Sequence, residues 1–462
     1  MKTMFTPSDY ADISKVINDN RYATEKHLKV KSPKVKDLKD IEQRLLDVKS
    51  DDPDWKEKVD ALKKERTAAM QINSQQLHII KYKKSSLNKT NVQTLGLFRS
   101  IITDGKKIIC FAPPKSLSCE EFNQRTSFTS DIECSEFIEG TMINMFINPL
   151  TNDWEIATRS NIGARCKFFQ DEKKTFREMF LEAFTEMHYE FAMFDKNYSY
   201  SWVLQHPANR IVLPITKPKL YLTHVFEYSE FIDVNGKQNL LIENVLSREN
   251  KYDFISTFGE VKINYPLPHH FTSTEQACLS YDDNNSDYKV MGSVFVDAKL
   301  GLRTKVRNPH YEYVKNLKGN SPKLQYRYYN LRQMGAVKDY LKYYPEDAGK
   351  FSIFREQMHN FTDNLWRNYM RCYVNKEKPL KEFPYEYRSH MYQMHQYYIN
   401  NLRADGGRFD KLQTINYVNN LKPGHLMHSI NYPLRNRSKD VIHQVLVDEV
   451  EKMDNMEKGV SS

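Results

Sequence analysis

The residues best suited to do chemistry are basic and aromatic side chains that alternate between positions 323 and 344. The cations are Lys323, Arg327, Arg332, Lys338 and Lys342, and the rings are Tyr326, Tyr328, Tyr329, Tyr340, Tyr343 and Tyr344. Cations that neutralise phosphates, next to rings that stack on bases, are typical of proteins that bind single-stranded RNA. Tyrosines at helical spacing more often line a domain core with their hydroxyls at the surface, and we place that interpretation first.

Several common catalytic motifs are absent from the sequence. It contains no GxxxxGK followed by Ser or Thr, no HExxH and no GxSxG, so nothing supports a P-loop NTPase, a zinc protease or an acyl-transfer enzyme. His390 and His395 are five residues apart, which puts them on different faces of a helix. The pairs His269-His270 and His425/His428 have no Cys or carboxylate cluster nearby. We therefore predict no metal site built from these histidines.

Composition narrows the class of protein. Of 462 residues, 40% are hydrophobic and 27% charged, as in globular proteins. No apolar run reaches the roughly 18 residues of a membrane span. The N-terminus lacks an apolar signal region, so we expect no secretion. The six cysteines form no CxxC pair, which indicates reduced thiols in an intracellular compartment, cytoplasm or nucleus.

The net charge gives a weak indication of the kind of partner, and the amino-acid usage gives a weak indication of the genome that encodes the protein. Lys and Arg outnumber Asp and Glu by 68 to 59, a net charge of +9, which permits a polyanionic partner without requiring one. The 29 tyrosines, with abundant Asn, Lys and Ile, suggest an AT-rich genome. A viral protein, in the cell or in the virion, is consistent with this usage.

Residues 1–75 have the pattern of a polar helical extension. Asp52-Pro53 offers a helix N-cap followed by proline in the first turn. Apolar residues then keep helical spacing at Trp55, Val59, Leu62 and Met70, and earlier at Leu38, Ile41 and Leu45. We predict a pair of helices that is either a solvated arm or a surface that contacts a protein partner.

Residues 76–320 change to short strand-like runs separated by turn signals such as Asp104-Gly105 and Asn235-Gly236. The predicted strands are 77–82, 108–111, 136–147, 154–158, 200–205, 220–226, 293–296 and 302–306. One helix is predicted from Phe176 to Met187, where apolar residues recur every three or four positions. Antiparallel sheets with a helix packed on them make this an α+β domain.

Residues 321–445 return to helical periodicity. Phe351, Phe354, Met358, Phe361, Leu365 and Tyr369 share one face over five turns. A second helix is predicted through Met391 and Leu402, ending at Gly406-Gly407, and a third through Leu412 and Val418. The segment 446–462 is predicted to be a polar tail.

Several short sequences in the middle of the chain follow one another in a definite order. They are Phe98-Arg99-Ser100-Ile101, Phe111-Ala112-Pro113-Pro114-Lys115-Ser116, Glu136-Phe137-Ile138-Glu139-Gly140-Thr141, Trp154 to Gly163, Ser201 to Val212, Met291-Gly292-Ser293-Val294, and Lys305-Val306-Arg307. This set resembles the phage-type RNA ligase 1 family of covalent nucleotidyltransferases over about residues 77–315. The most specific piece is the run from Pro207 to Val212.

The resemblance implies a nucleotidyltransferase domain followed by a helical C-terminal domain, with ATP and Mg²⁺ as cofactors. In that family a lysine amine attacks the α-phosphate of ATP and forms a lysine–AMP adduct. AMP then passes to an RNA 5′-phosphate, and an RNA 3′-hydroxyl displaces it. The lysine must be uncharged to attack, which a cationic and partly desolvated site favours.

The family's phosphate-binding positions are largely kept here. The resemblance assigns Arg99 to a position beside the nucleotide and Lys115 to the triphosphate. Glu139 begins a Glu-Gly-Thr that matches the family's Asp-Gly-Ser, Arg159 stands where the family has lysine, and Lys305 and Arg307 match its last motif. Glu139 paired with Arg159 as a structural ion pair is the alternative for those two residues.

The family's nucleophile is not kept. Its position, two residues before Glu139, is occupied by Phe137, and no lysine lies between Lys115 and Lys167. The two carboxylate positions of the family fall on Val203 and Met291, which cannot bind metal or ribose. These three side chains are best interpreted as apolar replacements.

The sequence therefore favours a ligase-like protein that binds a nucleotide or an RNA end without forming the covalent adduct, a pseudo-ligase. One alternative is an active ATP-dependent RNA ligase with another nucleophile, for which Lys115 is a weak substitute. The other is a structural or virion-associated protein that reuses the scaffold.

Overall fold

A computed structural model of the chain describes residues 2–5, 16, 20–31, 44, 48, 54, 56–64, 77–126, 132–167, 174–232, 238–247, 254–255, 258, 261–282, 286–321, 323–404 and 406–435. The chain divides into two compact units, Met1–Tyr313 and Val314–Ser462. The boundary predicted at residue 320 therefore lies inside the second unit. Much of the predicted helical pair (Leu38, Ile41, Leu45, Trp55, Met70), the turn at Asn235-Gly236 and the tail 446–462 lie outside the described residues.

Antiparallel β-structure dominates the first unit. Its strands are β1 (Lys2–Phe5), β2 (Leu28–Lys31), β3 (His78–Tyr82), β4 (Ile101–Thr103), β5 (Ile108–Phe111), β6 (Ile132–Glu136), β7 (Thr141–Asn148), β8 (Asp153–Thr158), β9 (Asn161–Ile162), β10 (Ser199–Gln205), β11 (Lys219–Ile232), β12 (Gln238–Asn244), β13 (Gly292–Asp297) and β14 (Leu302–Arg307). Most predicted strands are confirmed within one or two residues, because alternating apolar residues there face a buried layer.

The strands form three sheets. A seven-stranded sheet has the order β1-β12-β11-β10-β7-β8-β9, a three-stranded sheet the order β14-β13-β6, and a four-stranded sheet the order β2-β3-β4-β5. The first unit also contains α1 (Asn20–Glu25), α2 (Cys119–Arg125), α3 (Phe176–Glu186) and α4 (Thr274–Tyr281). Together with the sheets they give the α+β class that the sequence predicts.

Helix α3 is the helix predicted from the periodicity of phenylalanine and methionine. Thr175 caps its N-terminus, with Glu178 completing a capping box. Its buried face holds Phe176, Met179, Phe180, Ala183 and Phe184. These side chains share one hydrophobic cluster with residues of β7 and β10, including Trp202.

The single strand predicted over 136–147 is wrong: it is two strands in different sheets. β6 pairs with β13 and ends at Glu136, whereas β7 pairs with β8 and β10 and begins at Thr141. Between them Gly140 has a φ of 152°. A Cβ added there would lie 2.4 Å from the carbonyl oxygen of Leu204, so this close approach of backbones requires glycine. The break carries Phe137 and Ile138 from one sheet to the other.

The helical character predicted for residues 1–75 is only partly right. Residues 56–64 are helical and Leu62 is buried. β1, however, pairs with β12, and β2 pairs with β3. Both are four-residue edge strands with lysine in alternate or terminal positions. Edge strands are commonly short and lysine-bearing, which leaves too little alternation to be recognised.

The second unit contains helices, as predicted. They are α6 (Leu324–Gln333), α7 (Val337–Tyr343), α8 (Ala348–Tyr369), α9 (Tyr385–Asn401), α10 (Lys411–Asn420) and α11 (Pro423–Ile430), and α5 (Pro309–Lys318) crosses from the first unit. The predicted apolar face of α8 is confirmed, since Phe351, Met358, Phe361 and Leu365 are buried. No helix of the described chain is both long and apolar enough to cross a membrane.

Candidate functional site

A cavity of about 670 Å³ lies in the first unit. One side is formed by β7, β10, β11 and β12, with Met142, Val203, His224 and Asn244 among the lining residues. The other is formed by β6, β13 and β14 of the three-stranded sheet. Cavities of this size are typical of sites for small molecules and cofactors. The two sheets therefore enclose a space large enough for a nucleotide.

The structure brings together the three residues at which the sequence departs from the family pattern. Phe137, Val203 and Met291 all line this one cavity. They come from three separate places: the link after β6, the middle of β10, and the residue before β13. The three replacements consequently alter one site rather than three unrelated parts of the core.

Three cations line the same cavity: Arg99, Arg303 and Lys305. Arg303 is 6% exposed, and its guanidinium donates one hydrogen bond, from Nη2 to the carbonyl oxygen of Pro114 at 2.7 Å. Its Nε has no hydrogen-bond partner among the described residues. Arg99 donates to the carbonyl oxygen of Pro113 at 3.2 Å. The arginines are thus held in place by backbone carbonyls.

No carboxylate within the described part of the chain forms an ion pair with Arg99, Arg303 or Lys305. The pKa of Arg303 is lowered to about 9, by burial first and by Arg99 second. Burial also lowers the pKa of Arg99. A buried charge without a counter-charge is costly unless something else compensates it. The cavity is therefore an environment that favours an anion.

Lys305 lies against the aromatic ring that replaces the family nucleophile. Its Nζ is 4.2 Å from the centroid of the Phe137 ring, in cation–π geometry. Burial, followed by Arg303, Arg99, Arg307 and Lys115, holds the pKa of this amine well below its usual range. An amine is therefore present beside position 137, although it comes from a different strand.

The other three cations predicted to bind phosphate do not line the cavity: Lys115, Arg159 and Arg307. Lys115 is exposed, and its Nζ donates to the carbonyl oxygen of Ser116 at 3.1 Å. Arg307 is exposed and lies 3.5 Å from the carboxylate of Glu312. Arg159 stacks over the Tyr82 ring at 4.9 Å and donates to the carbonyl oxygen of Arg99. Arg159 thus supports the Arg99 backbone from behind.

Lys115 and Arg307 still belong to the electrostatic surroundings of the site. Although Lys115 is exposed overall, partial desolvation of its amine, followed by the nearby Arg99, Arg303 and Arg307, lowers its pKa. A phosphate chain that extends beyond the cavity mouth would be attracted by both side chains. Their predicted role in phosphate binding stays a prediction.

Glu139 occupies a structural position. It is 4% exposed, and its carboxylate accepts hydrogen bonds from the backbone N–H groups of Val212 and Leu213 at 3.1 Å each. Glu139 is not among the described residues that line the cavity. The carboxylate therefore joins the Phe137–Gly140 link to the chain after β10.

The most specific sequence run, Pro207 to Val212, forms a turn that supports the same link. Asn209 donates from its amide to Thr141 Oγ1 at 3.0 Å, and Gln205 donates to the Glu139 carbonyl oxygen at 2.9 Å. His206 Nδ1 accepts from the N–H of Ala208 and caps the turn. These bonds fix the register of β10 against β7 beside the cavity, so the run acts through structure.

Besides Nε of Arg303, two further buried polar atoms of cavity residues lack a hydrogen-bond partner among the described residues. They are Nδ1 of His224 and the hydroxyl oxygen of Tyr265. Burial and the neighbouring Arg303 hold the pKa of His224 well below its usual range, so its ring is neutral and offers one donor and one acceptor. Such groups are available to a ligand with its own donors and acceptors.

The residues present do not fit a metal ion held by the family's carboxylates. Val203 and Met291 stand at those two positions and offer no oxygen ligand. Glu133 and Glu136 also line the cavity, but no group of three or more metal-binding side chains occurs among the described residues. Arg303 and Lys305 supply positive charge on the side of the cavity opposite Val203.

The basic and aromatic stretch 323–344 is mainly part of a core, and two of its predicted RNA-binding residues are engaged internally. Arg327 is 7% exposed and donates to the Tyr340 hydroxyl and the Ser321 carbonyl oxygen. Arg332 donates to Asn419 Oδ1 at 2.6 Å. Both side chains satisfy polar atoms within the helical unit, and their role in RNA binding stays a prediction. Lys323 and Lys338 are exposed, and their RNA role stays a prediction.

Arg303 and His224 are the site residues that sequence reasoning missed. A signal for Arg303 existed: side chains two apart on a strand share a face, so Arg303, Lys305 and Arg307 follow one another along β14. His224 lies within a continuous β11 pattern and carried no such signal.

Comparison with known proteins gives a partial similarity. No family model matches the chain. An RNA ligase of Rhodothermus phage RM378 is 26% identical over an alignment of 149 residues, and the match covers 27% of this chain and 33% of that protein. This chain thus covers about a third of the length of that relative.

Two solved structures show weak overall similarity. A mutant RNA ligase of Naegleria gruberi with ATP and Mn superposes with a TM-score of 0.30 at 10% identity, over 44% of this chain and 57% of the other. An archaeal ATP-dependent RNA ligase gives a TM-score of 0.27 at 10% identity, over 80% and 74%. At the level of sequence, the chain is therefore a distant, partial relative of a phage RNA ligase.

Proposed function

We propose that this chain is an RNA ligase-like protein whose cavity binds the phosphates of a nucleotide or of an RNA end, with no covalent adduct at position 137. The observation that carries this proposal is the convergence of Arg99, Arg303 and Lys305 on one cavity without carboxylate partners among the described residues. An anionic ligand compensates such a cluster, and phosphates match arginine's planar donors especially well.

The remaining cavity wall suits the rest of a nucleotide. Apolar side chains such as Leu222, Ile255 and Val294 offer surface for a base, and His224 and Tyr265 offer unused polar atoms. A largely apolar wall with a few directed polar groups is typical of small-molecule sites. The partial similarity to a phage RNA ligase supports a nucleotide or an RNA 5′-phosphate as the anion.

A binding measurement with matched variants tests this proposal. We expect Arg303→Met to weaken ATP affinity about tenfold or more, because it removes a charge-assisted hydrogen bond worth about 1.5–3 kcal/mol. Titration calorimetry with the full chain checks it, and circular dichroism confirms that the variant is folded. Arg99→Gln provides a second, less buried substitution, while the exposed Lys196→Gln is the control, expected to bind like the parent.

The ligand series separates the two sources of phosphate. ATP, ADP, a 5′-phosphorylated RNA oligonucleotide and the same RNA with a 5′-hydroxyl are compared. A preference for the phosphorylated RNA over the hydroxyl RNA supports RNA-end binding, and ATP binding alone supports a nucleotide site. Equal affinity of parent, Arg303→Met and Arg99→Gln for every ligand would refute the proposal.

A further inference from the structure

Lys305 differs in its surroundings from the other lysines in the part of the chain that the structure describes. It projects from β14 into the cavity, and its Nζ lies 4.2 Å from the centre of the Phe137 ring. Among the described residues of the cavity wall it is the one lysine. Lys115, the substitute that the sequence suggested, is exposed and bonds the neighbouring Ser116 carbonyl.

Contact with the ring fixes where the amine lies. A lysine side chain has four rotatable bonds, and packing over an aromatic face restricts them. Phe137 belongs to the link that crosses between the sheets, held through Gly140 and Glu139. The amine of Lys305 is thereby kept beside the position at which the resemblance requires an attacking lysine.

The electrostatic surroundings of this amine suit a nucleophile. Arg99, Arg303, Arg307 and Lys115 all disfavour a further positive charge, and burial acts in the same direction, so the pKa of Lys305 is lowered. A neutral amine is nucleophilic, and lysines become so when desolvated or placed beside other cations. The pKa of Arg303, lowered to about 9, leaves this guanidinium charged at neutral pH, so that it can hold the anionic reactant.

We propose that Lys305 replaces the lysine missing at position 137 and attacks the α-phosphorus of a nucleoside triphosphate bound in the cavity. The inference rests on the proposed nucleotide site. In the step a P–N bond forms between Nζ and the α-phosphorus, the P–O bond to the β-phosphate breaks, pyrophosphate leaves, and the amine loses a proton to water. The product is a nucleotidyl-lysine, and no electrons are exchanged with another reactant.

The test is covalent labelling of the full chain with α-labelled ATP. After incubation with and without divalent cations, the protein is denatured and the surviving label is counted. We expect label that withstands alkali and is released by acid or hydroxylamine, as a P–N bond requires, with the modified peptide containing Lys305. Lys305→Arg keeps a long basic side chain but provides no nucleophilic amine, so label should fall to background while ATP still binds.

Matched variants make each result decisive. Lys196→Arg, an exposed lysine outside the site, should label like the parent, and Phe137→Lys serves as the positive control with an amine restored at the family position. Label lost with Lys115→Arg but kept with Lys305→Arg would overturn the inference.

A second contrary result is distinct from failure of the binding proposal. ATP that binds by calorimetry but never labels the protein, while Phe137→Lys does label, would overturn the role of Lys305 and leave the chain a pseudo-ligase. Absence of ATP binding altogether would overturn both proposals.

Discussion

Arg303 and Lys305 lie two residues apart on β14, and their side chains reach the same cavity. Arg303 is buried and Lys305 is partly buried, neither has a carboxylate partner among the described residues, and each has a lowered pKa. In a structural ion pair, a neighbouring carboxylate would favour the charged form of each side chain and would oppose the lowering of its pKa. At the scale of single residues, the site is therefore arranged to receive negative charge from a ligand.

Glu139 permits a stability prediction at this scale. Glu139→Gln removes the charge from an acceptor that bonds two backbone N–H groups, so we expect a loss of about 1.5–3 kcal/mol in the free energy of unfolding. Urea denaturation measures it. The control Glu120→Gln disrupts only an exposed pair with Lys89 and should change stability by less than about 1 kcal/mol. Equal effects of the two substitutions would contradict the structural role of Glu139.

The sequence predicted part of the site because family order located Phe137, Val203 and Met291. It could not predict that Arg159 lies outside the cavity wall, because its contacts with Tyr82 and the Arg99 backbone join positions distant in sequence. Arg307 pairs with Glu312, which is only five residues away but lies on helix α5. Glu139 likewise finds its partners in the turn after β10. The positions of the motifs in the sequence identified the strands that carry the site. Which side chains enter the cavity depends on contacts that only the folded structure shows.

At the scale of elements, strands within the core were predictable and the junctions were not. β5, β8, β10 and β14 follow from apolar alternation against buried layers. The crossover between β6 and β7 depends on Gly140 fitting against the Leu204 carbonyl, a contact that a local pattern does not reveal. The same crossover positions Phe137, so the least predictable element carries the central residue of the site.

Helix α9 allows a prediction of pH dependence. His390 is fully buried, with its ring nitrogens bonded to Tyr417 and Ser429 hydroxyls at 2.8 Å. Burial, with a contribution from His425, lowers its pKa from 6.5 to about 4. A buried neutral histidine stabilises the fold above the unfolded-state pKa, and this contribution is lost as pH falls from 6.5 towards 4.

The expected size of that effect is about 3 kcal/mol, from the shift and the free energy per pKa unit. Urea unfolding at pH 7 and pH 4.5, followed by tyrosine fluorescence, measures it for the parent and for His390→Gln. We expect the substitution to flatten the dependence even where it lowers stability at pH 7. An unchanged pH slope in the variant would contradict the assignment to His390.

At the scale of the whole molecule, the chain combines a unit rich in antiparallel β-sheet with a helical unit. The net charge of +9 attracts polyanions in general, so it adds affinity without selecting a ligand. Selection among anionic ligands must come from the cavity, where backbone carbonyls hold the guanidinium groups of Arg99 and Arg303 in place. The surface lysines of the helical unit, Lys323 and Lys338, offer only exposed charge, which salt screens readily.

The most direct test of the central claim is calorimetric titration of the full chain with ATP in the presence of EDTA, at low and high salt. The account predicts binding without a divalent cation, because Arg99, Arg303 and Lys305 line the cavity, and Val203 and Met291 stand at the two positions where the family has metal-binding carboxylates. Affinity should fall as salt rises, yet persist, since buried contacts are screened less than surface ones. Binding that appears only when Mg²⁺ or Mn²⁺ is added, or no binding at all, would contradict it.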